Sequence, residues 1–100
     1  MIIRGTTPTL TFGLPFDAEA IADGYVIIQQ NKKPIVEKPV DACECDGMEL
    51  SVTLTQKETL DLSCCFKAEI SLVVKTHGDE RLESDTFVKT VRDTAKDGVI

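Results

Sequence analysis

Between Phe66 and Lys75 the chain alternates for ten residues. Phe66, Ala68, Ile70, Leu72 and Val74 fall on one side; Lys67, Glu69, Ser71, Val73 and Lys75 fall on the other. Successive side chains of a β-strand point to opposite faces, so this period of two predicts a strand with one buried face. The same rhythm recurs at Thr9 to Phe16, where Leu10, Phe12, Leu14 and Phe16 share a face, with Pro15 marking a strand end or edge. It recurs again at Glu49 to Thr55, where Leu50, Val52 and Leu54 alternate with Ser51, Thr53 and Thr55.

Turn residues separate these runs at short intervals. Asn31-Lys32-Lys33-Pro34 turns a hairpin over residues 25–38, Asp46-Gly47 separates Val40–Cys45 from Glu49–Thr55, and Thr76 to Glu80 precedes a return strand from Arg81 to Arg92. Asp17 to Asp23 fits either one helical turn or a loop. One helical start is well marked: Thr55 and Glu58 have capping-box spacing, which predicts a short turn around 55–62 that drops Leu60 and Leu62 onto the core. Together these signals predict an all-β fold, an immunoglobulin-like antiparallel two-sheet sandwich of six to seven strands with one short capped helical turn. Residues 1–92 form the expected single domain, and 93–100 a polar C-terminal tail. The tryptophan of antibody domains is missing, which the architecture tolerates.

Charge narrows the partners. Seventeen acidic against eleven basic residues leave a net charge of −6. Nucleic acid is bound largely through Lys and Arg, so neither DNA, RNA nor an anionic membrane is expected as partner. No stretch approaches the apolar length of a membrane helix, and the start, Met1-Ile2-Ile3-Arg4-Gly5, lacks the apolar run of a signal peptide. A cytoplasmic location is therefore expected.

Four cysteines, as Cys43-Glu44-Cys45 and Cys64-Cys65, are the most unusual feature. A zinc site, a disulfide between the two clusters, and reduced thiols acting as small apolar side chains in or near the core are the three readings. Zinc asks for four convergent ligands, yet Cys64 and Cys65 would face opposite ways on a strand. A disulfide asks for an oxidising compartment. The reduced-thiol reading is preferred, and no metal or cofactor is assigned. His77, the lone histidine, lies in a predicted turn and reads as a surface residue rather than a general base. Carboxylates cluster at Asp17, Glu19 and Asp23, at Asp41, Glu44 and Asp46, and at Asp79, Glu80, Glu83 and Asp85, without a calcium-loop pattern. The glycines form no phosphate-binding fingerprint. Of the aromatics Phe12, Phe16, Tyr25, Phe66 and Phe87, most fall on inward faces and Tyr25 is the one expected outside.

A series of segments carries a resemblance across nearly the whole chain. Ile3-Arg4-Gly5-Thr6-Thr7-Pro8-Thr9 leads into Leu14-Pro15-Phe16-Asp17; Gln30-Asn31-Lys32 turns the hairpin; Leu54-Thr55-Gln56-Lys57-Glu58-Thr59-Leu60 carries the capped turn. Glu69-Ile70-Ser71-Leu72-Val73-Val74-Lys75-Thr76 follows, and Lys96-Asp97-Gly98-Val99-Ile100 closes the chain. This order resembles small proteins encoded in prophages of Gram-positive gut bacteria, and is similar to the N-terminal immunoglobulin-like domain of phage upper baseplate proteins. The resemblance implies a non-enzymatic virion structural protein, a tail or baseplate assembly or accessory module whose partners are other tail or baseplate proteins. Homo-oligomers are also open. It implies a bacterial cytoplasmic location during assembly and a place in the virion if incorporated. The cysteine clusters belong to no part of it. Candidate docking edges are Thr7–Leu14 and the strand around Thr86–Arg92, because unpaired edge amides are templates for another strand. The alternative is a carbohydrate- or ligand-binding sandwich, which expects an exposed aromatic patch or an acidic calcium pocket. A thiol hydrolase or metalloenzyme would need His77 or a metal close to the cysteines.

Overall fold

The computed structural model describes every residue except Asp85 and Asp97. Asp85 of the carboxylate cluster and Asp97 of the closing motif therefore lie outside the described residues. Ten strand segments are present among those described: β1 (Ile2–Ile3), β2 (Thr9–Gly13), β3 (Ile21–Gln30), β4 (Lys33–Pro39), β5 (Glu44–Asp46), β6 (Glu49–Thr53), β7 (Ala68–Thr76), β8 (Arg81–Glu83), β9 (Phe87–Lys89) and β10 (Val91–Arg92). One helix, α1 (Gln56–Leu60), and two 3₁₀ turns, Ala18–Ala20 and Val40–Ala42, complete the chain.

The strands form two antiparallel layers. The smaller sheet runs β2-β6-β5; the larger runs β4-β3-β7, with β8 and β9 both pairing with β7. β2 neighbours β6, and β3 neighbours β7, so the central partners are far apart in sequence while hairpins join β3 to β4 and β5 to β6. This crossed order, with a helical corner before β7, is that of an immunoglobulin-like sandwich. β1 and β10 add a parallel pair that brings the two ends of the chain together.

The predicted alternation places the core. Leu10, Phe12, Leu50 and Val52 from the smaller sheet are buried with Val26, Ile28, Val36, Ile70, Leu72 and Val74 from the larger. Ile2, Leu14, Leu54, Leu62 and Val91 close the ends, and the rings of Phe12 and Phe87 meet at 5.2 Å between the layers.

Three local readings are corrected. Among the described residues there are ten strand segments rather than six or seven, because β1 is added at the N-terminus and the return from Arg81 is broken into three: the Ser84 amide donates to Leu72 O, while Ser84 Oγ, not its backbone, accepts from Leu72 N, and pairing resumes at Phe87. Val40–Ala42 is a 3₁₀ turn rather than the start of a strand, following Pro39, which has no amide to donate. Phe66 is 46% exposed, because the strand begins only at Ala68 and its alternation does not reach back to Phe66.

The β3–β4 hairpin turns on Asn31 and Lys32 alone, both in the left-handed region at φ 51° and 65°. Such a two-residue turn matches the right-handed twist of the strands but strains a lysine. Lys32→Gly is expected to stabilise the fold by about 0.5–1 kcal/mol, read as a higher urea midpoint at unchanged slope. An unchanged or lower midpoint would contradict this account of the turn.

Candidate interaction surface

The open side of β2 is built by sequence parity. Leu54 N donates to Pro8 O at 2.9 Å and Leu14 N donates to Met48 O at 2.8 Å, bracketing a register in which Leu10 faces Val52 and Phe12 faces Leu50. In an antiparallel pair, hydrogen-bonded residues alternate with residues that turn their backbone groups away. Pro8, Leu10, Phe12 and Leu14 therefore use their groups toward β6, while Thr9, Thr11 and Gly13 direct theirs to the open edge. The side chains of Thr9 and Thr11 are held on the outer sheet surface by hydroxyl pairs, Thr9 with Thr53 at 2.9 Å and Thr11 with Ser51 at 3.0 Å. The expected docking edge Thr7–Leu14 is thus an edge of the smaller sheet.

The other sheet edges are guarded. β4 carries Lys33, Pro34, Glu37, Lys38 and Pro39, and a bulge leaves Ile35 without an opposite residue. β5, β8 and β9 are three residues each and carry Glu44 and Asp46, Arg81 and Glu83, and Lys89. Charges, prolines, bulges and shortness are the usual obstacles to edge pairing. β2 has five residues and none of these features; no charged residue occurs from Gly5 to Phe16. The second expected edge, around Thr86–Arg92, is divided: β9 pairs with β7 and β10 with β1.

The outer face of the larger sheet presents a different surface. Tyr25 stands opposite Val73 with Ile27 beside it, and Tyr25 is 41% exposed. These residues floor a shallow hollow of about 360 Å³ rimmed by Asp23, Glu37, Lys75 and Arg81.

Of the four cysteines, Cys43 alone lies near the core as the reduced-thiol reading expected. Cys45, Cys64 and Cys65 are exposed; Cys43 is half-buried, and all four are free thiols. Cys64 and Cys65 lie in the surface connection between α1 and β7, and Cys45 sits on an edge strand. Cys43 packs against the core margin, its thiol donating to Pro39 O at 3.6 Å. Burial, aided by the neighbouring Cys45 and opposed by Lys38, pushes its pKa up, which lowers the thiolate fraction. Among the described residues, no three His, Cys, Asp or Glu side chains gather as a metal site would require. His77 is exposed in the β7–β8 turn, where its backbone amide donates to Ala20 O at 2.9 Å. Asp17 caps a 3₁₀ turn, accepting from Glu19 N at 2.9 Å.

The polar residues that organise the molecule were missed by the sequence reading. Gln30 is 3% exposed; its Nε2 donates to Ser63 O at 2.7 Å and Phe66 O at 3.0 Å, and its Oε1 accepts from Ser63 N at 2.8 Å. Thr59 Oγ1 accepts from Gly5 N at 3.0 Å and lies 2.8 Å from Thr6 O, fastening the N-terminal segment to α1. Arg4 spans Asp93 and Leu60 O at 2.6 and 2.9 Å. Ile100 returns to the same corner, its amide donating to Gln56 Oε1 at 2.8 Å. A signal for Gln30 was present, since it shares parity with Val26 and Ile28.

The capping box forms as predicted: Glu58 N donates to Thr55 Oγ1 at 3.1 Å and Thr55 N donates to Glu58 Oε1 at 2.8 Å. The same carboxylate meets Lys38 Nζ at 3.0 Å. Burial acts to raise the Glu58 pKa, but the Thr55 amide and Lys38 outweigh it and hold it below the ordinary carboxylate range. A depressed folded value gives stability that is full above the unfolded pKa and lost as pH falls through the folded one. Glu58→Gln is therefore expected to cost about 1 kcal/mol at neutral pH. The difference from wild type should shrink on acidification, as followed by urea unfolding across pH 7 to 2.

Comparison with family models, with curated proteins and with solved structures returns no match to this chain.

Proposed function

We propose that this protein is a non-enzymatic structural module of a phage tail or baseplate, one that docks through its open β2 edge. The observation that carries the docking is the contrast between β2, with no charge and no bulge, and the guarded edges elsewhere. An edge left in that state is a template for a further strand. The resemblance read in the ordered segments supplies the setting: assembly in the bacterial cytoplasm, beside other tail or baseplate proteins. Mass spectrometry of purified tail particles from cells carrying the gene tests it. The chain should be present in fixed ratio to tail subunits, and Thr11→Lys should lower that ratio. Particles without the chain overturn the assignment.

A second reading, a carbohydrate- or ligand-binding sandwich, draws on exposed Tyr25 over the hollow of the larger sheet. Aromatic faces with polar rims suit sugars. Oligosaccharide titrations followed by amide chemical shifts should then perturb Tyr25, Ile27 and Val73, and shifts elsewhere or none would remove it.

A further inference from the structure

We propose that the partner strand at the β2 edge is β2 of a second copy of this chain, paired antiparallel about a two-fold axis through Thr11. The inference rests on the edge-docking reading and names the occupant of that same edge.

Register makes the pairing self-complementary. The outward residues are Thr9, Thr11 and Gly13, spaced evenly about Thr11. With Thr11 facing its symmetry mate, Thr9 faces Gly13 of the second copy, so each outward residue exchanges both backbone bonds and none is left over. The flanking prolines do not obstruct this ladder. Pro8 falls opposite Leu14 of the second copy at a position that calls for no outward amide, and Pro15 lies beyond the paired five residues.

The edge is free of the charges that would oppose a copy. In an isologous contact a residue on the axis meets its own equivalent, so any charge near the axis would lie close to its like. The chain carries a net −6, yet from Gly5 to Phe16 it has no charged residue. The inner side adds mostly apolar surface: a groove of about 300 Å³ opens beside the end of β2, lined by Phe12, Leu14, Phe16, Leu72 and Leu82, together with Glu83. The proposed register brings Pro8 of the second copy alongside Leu14 at this groove. The β2-β6-β5 sheets of the two copies would then join into one continuous six-stranded sheet.

Sedimentation and light scattering across protein concentration test the proposal on the full chain. Wild type should form a dimer whose dissociation constant falls as salt rises from low to physiological, because salt screens the like net charges. Thr11→Pro removes an amide that makes no bond to β6, and Thr11→Lys sets like charges face to face. Each should weaken dimerisation by about tenfold or more, as a lost cross-strand contact of roughly 1.4 kcal/mol requires, with thermal unfolding of the diluted monomer little changed. Amide exchange in the wild-type dimer supplies a readout that needs no variant: Thr9, Thr11 and Gly13 should exchange more slowly than in the monomer. A dimer in which these amides stay fast, or which survives both substitutions, overturns the proposal. A wild-type chain that is monomeric throughout also overturns it, and places a strand of another protein at the edge if the particle experiment still finds the chain.

Discussion

Gln30→Leu is expected to destabilise the protein by about 2 kcal/mol, since it strands three part-buried backbone groups at once, each worth roughly 1–3 kcal/mol when unsatisfied and fully buried. The side chain closes the end of β3, receiving the Ser63 amide and donating to the Ser63 and Phe66 carbonyls. Leucine matches its bulk but offers no partner to these three groups. The loss stays below the sum of three penalties because the connection before β7 can open and admit water. Urea unfolding should show a lower midpoint, and amide exchange should quicken at Ser63 ahead of the β3–β7 ladder. Gln30→Glu separates polarity from volume. A carboxylate accepts from Ser63 N but sets negative charge against two carbonyl oxygens, so its folded pKa must rise above the unfolded value. Stability then is fullest below the unfolded pKa and is lost as pH rises through the folded one. This variant should therefore recover on acidification, because protonation restores a donor. Equal stability of Gln30→Leu and wild type would falsify the account of this corner.

Gly24→Ala is expected to cost about 2–3 kcal/mol, the range for forcing extra volume into a packed interior. A Cβ at Gly24 would stand 2.7 Å from the backbone carbonyl of Val73, 2.9 Å from Val40 Cγ2 and 3.0 Å from Val74 Cγ1. The nearest of these is main chain in the neighbouring central strand, which cannot swing aside as a side-chain tip can. Gly24 also follows a register shift between Ile21 and Asp23, where β3 fits an extra residue against β7. The control is Gly13→Ala on β2: a Cβ there would meet nothing within 4 Å, and the φ of Gly13 is not in the left-handed region. That variant should stay within about 0.5 kcal/mol of wild type. Similar midpoints for the two alanine variants would refute the close-approach argument.

Both substitutions act at points the sequence did not single out, although the strands that hold them were legible. The alternations at Leu10–Leu14, Leu50–Leu54 and Ala68–Val74 placed their residues inside without error, because period two leaves little choice once one face is buried. Thr55 and Glu58 showed the capped turn for a similar reason: the spacing is local, and so is the bonding. Phe66, Cys45, Cys64 and Cys65 were misplaced. Their burial depends on where a strand starts and on how far the opposite layer extends, neither of which a neighbouring residue reports. Cys45 stands opposite Leu50, yet Leu50 is buried and Cys45 exposed, since only the inner strand is covered.

The candidate surface divides the same way. The lack of charge from Gly5 to Phe16 can be read directly from the chain, and Thr7–Leu14 was named as an edge. That β2 keeps one side open while the other edges carry charges, prolines or a bulge emerges only when all the strands are paired. Sequence by itself determined the layers, the inward faces and the helical corner, since these follow from spacings of two to four residues. Tertiary structure alone decided which edges stay open, which groups meet Gln30, and why Gly24 has no room for a methyl group. Those outcomes depend on main-chain groups brought together from positions tens of residues apart, where no local periodicity reaches.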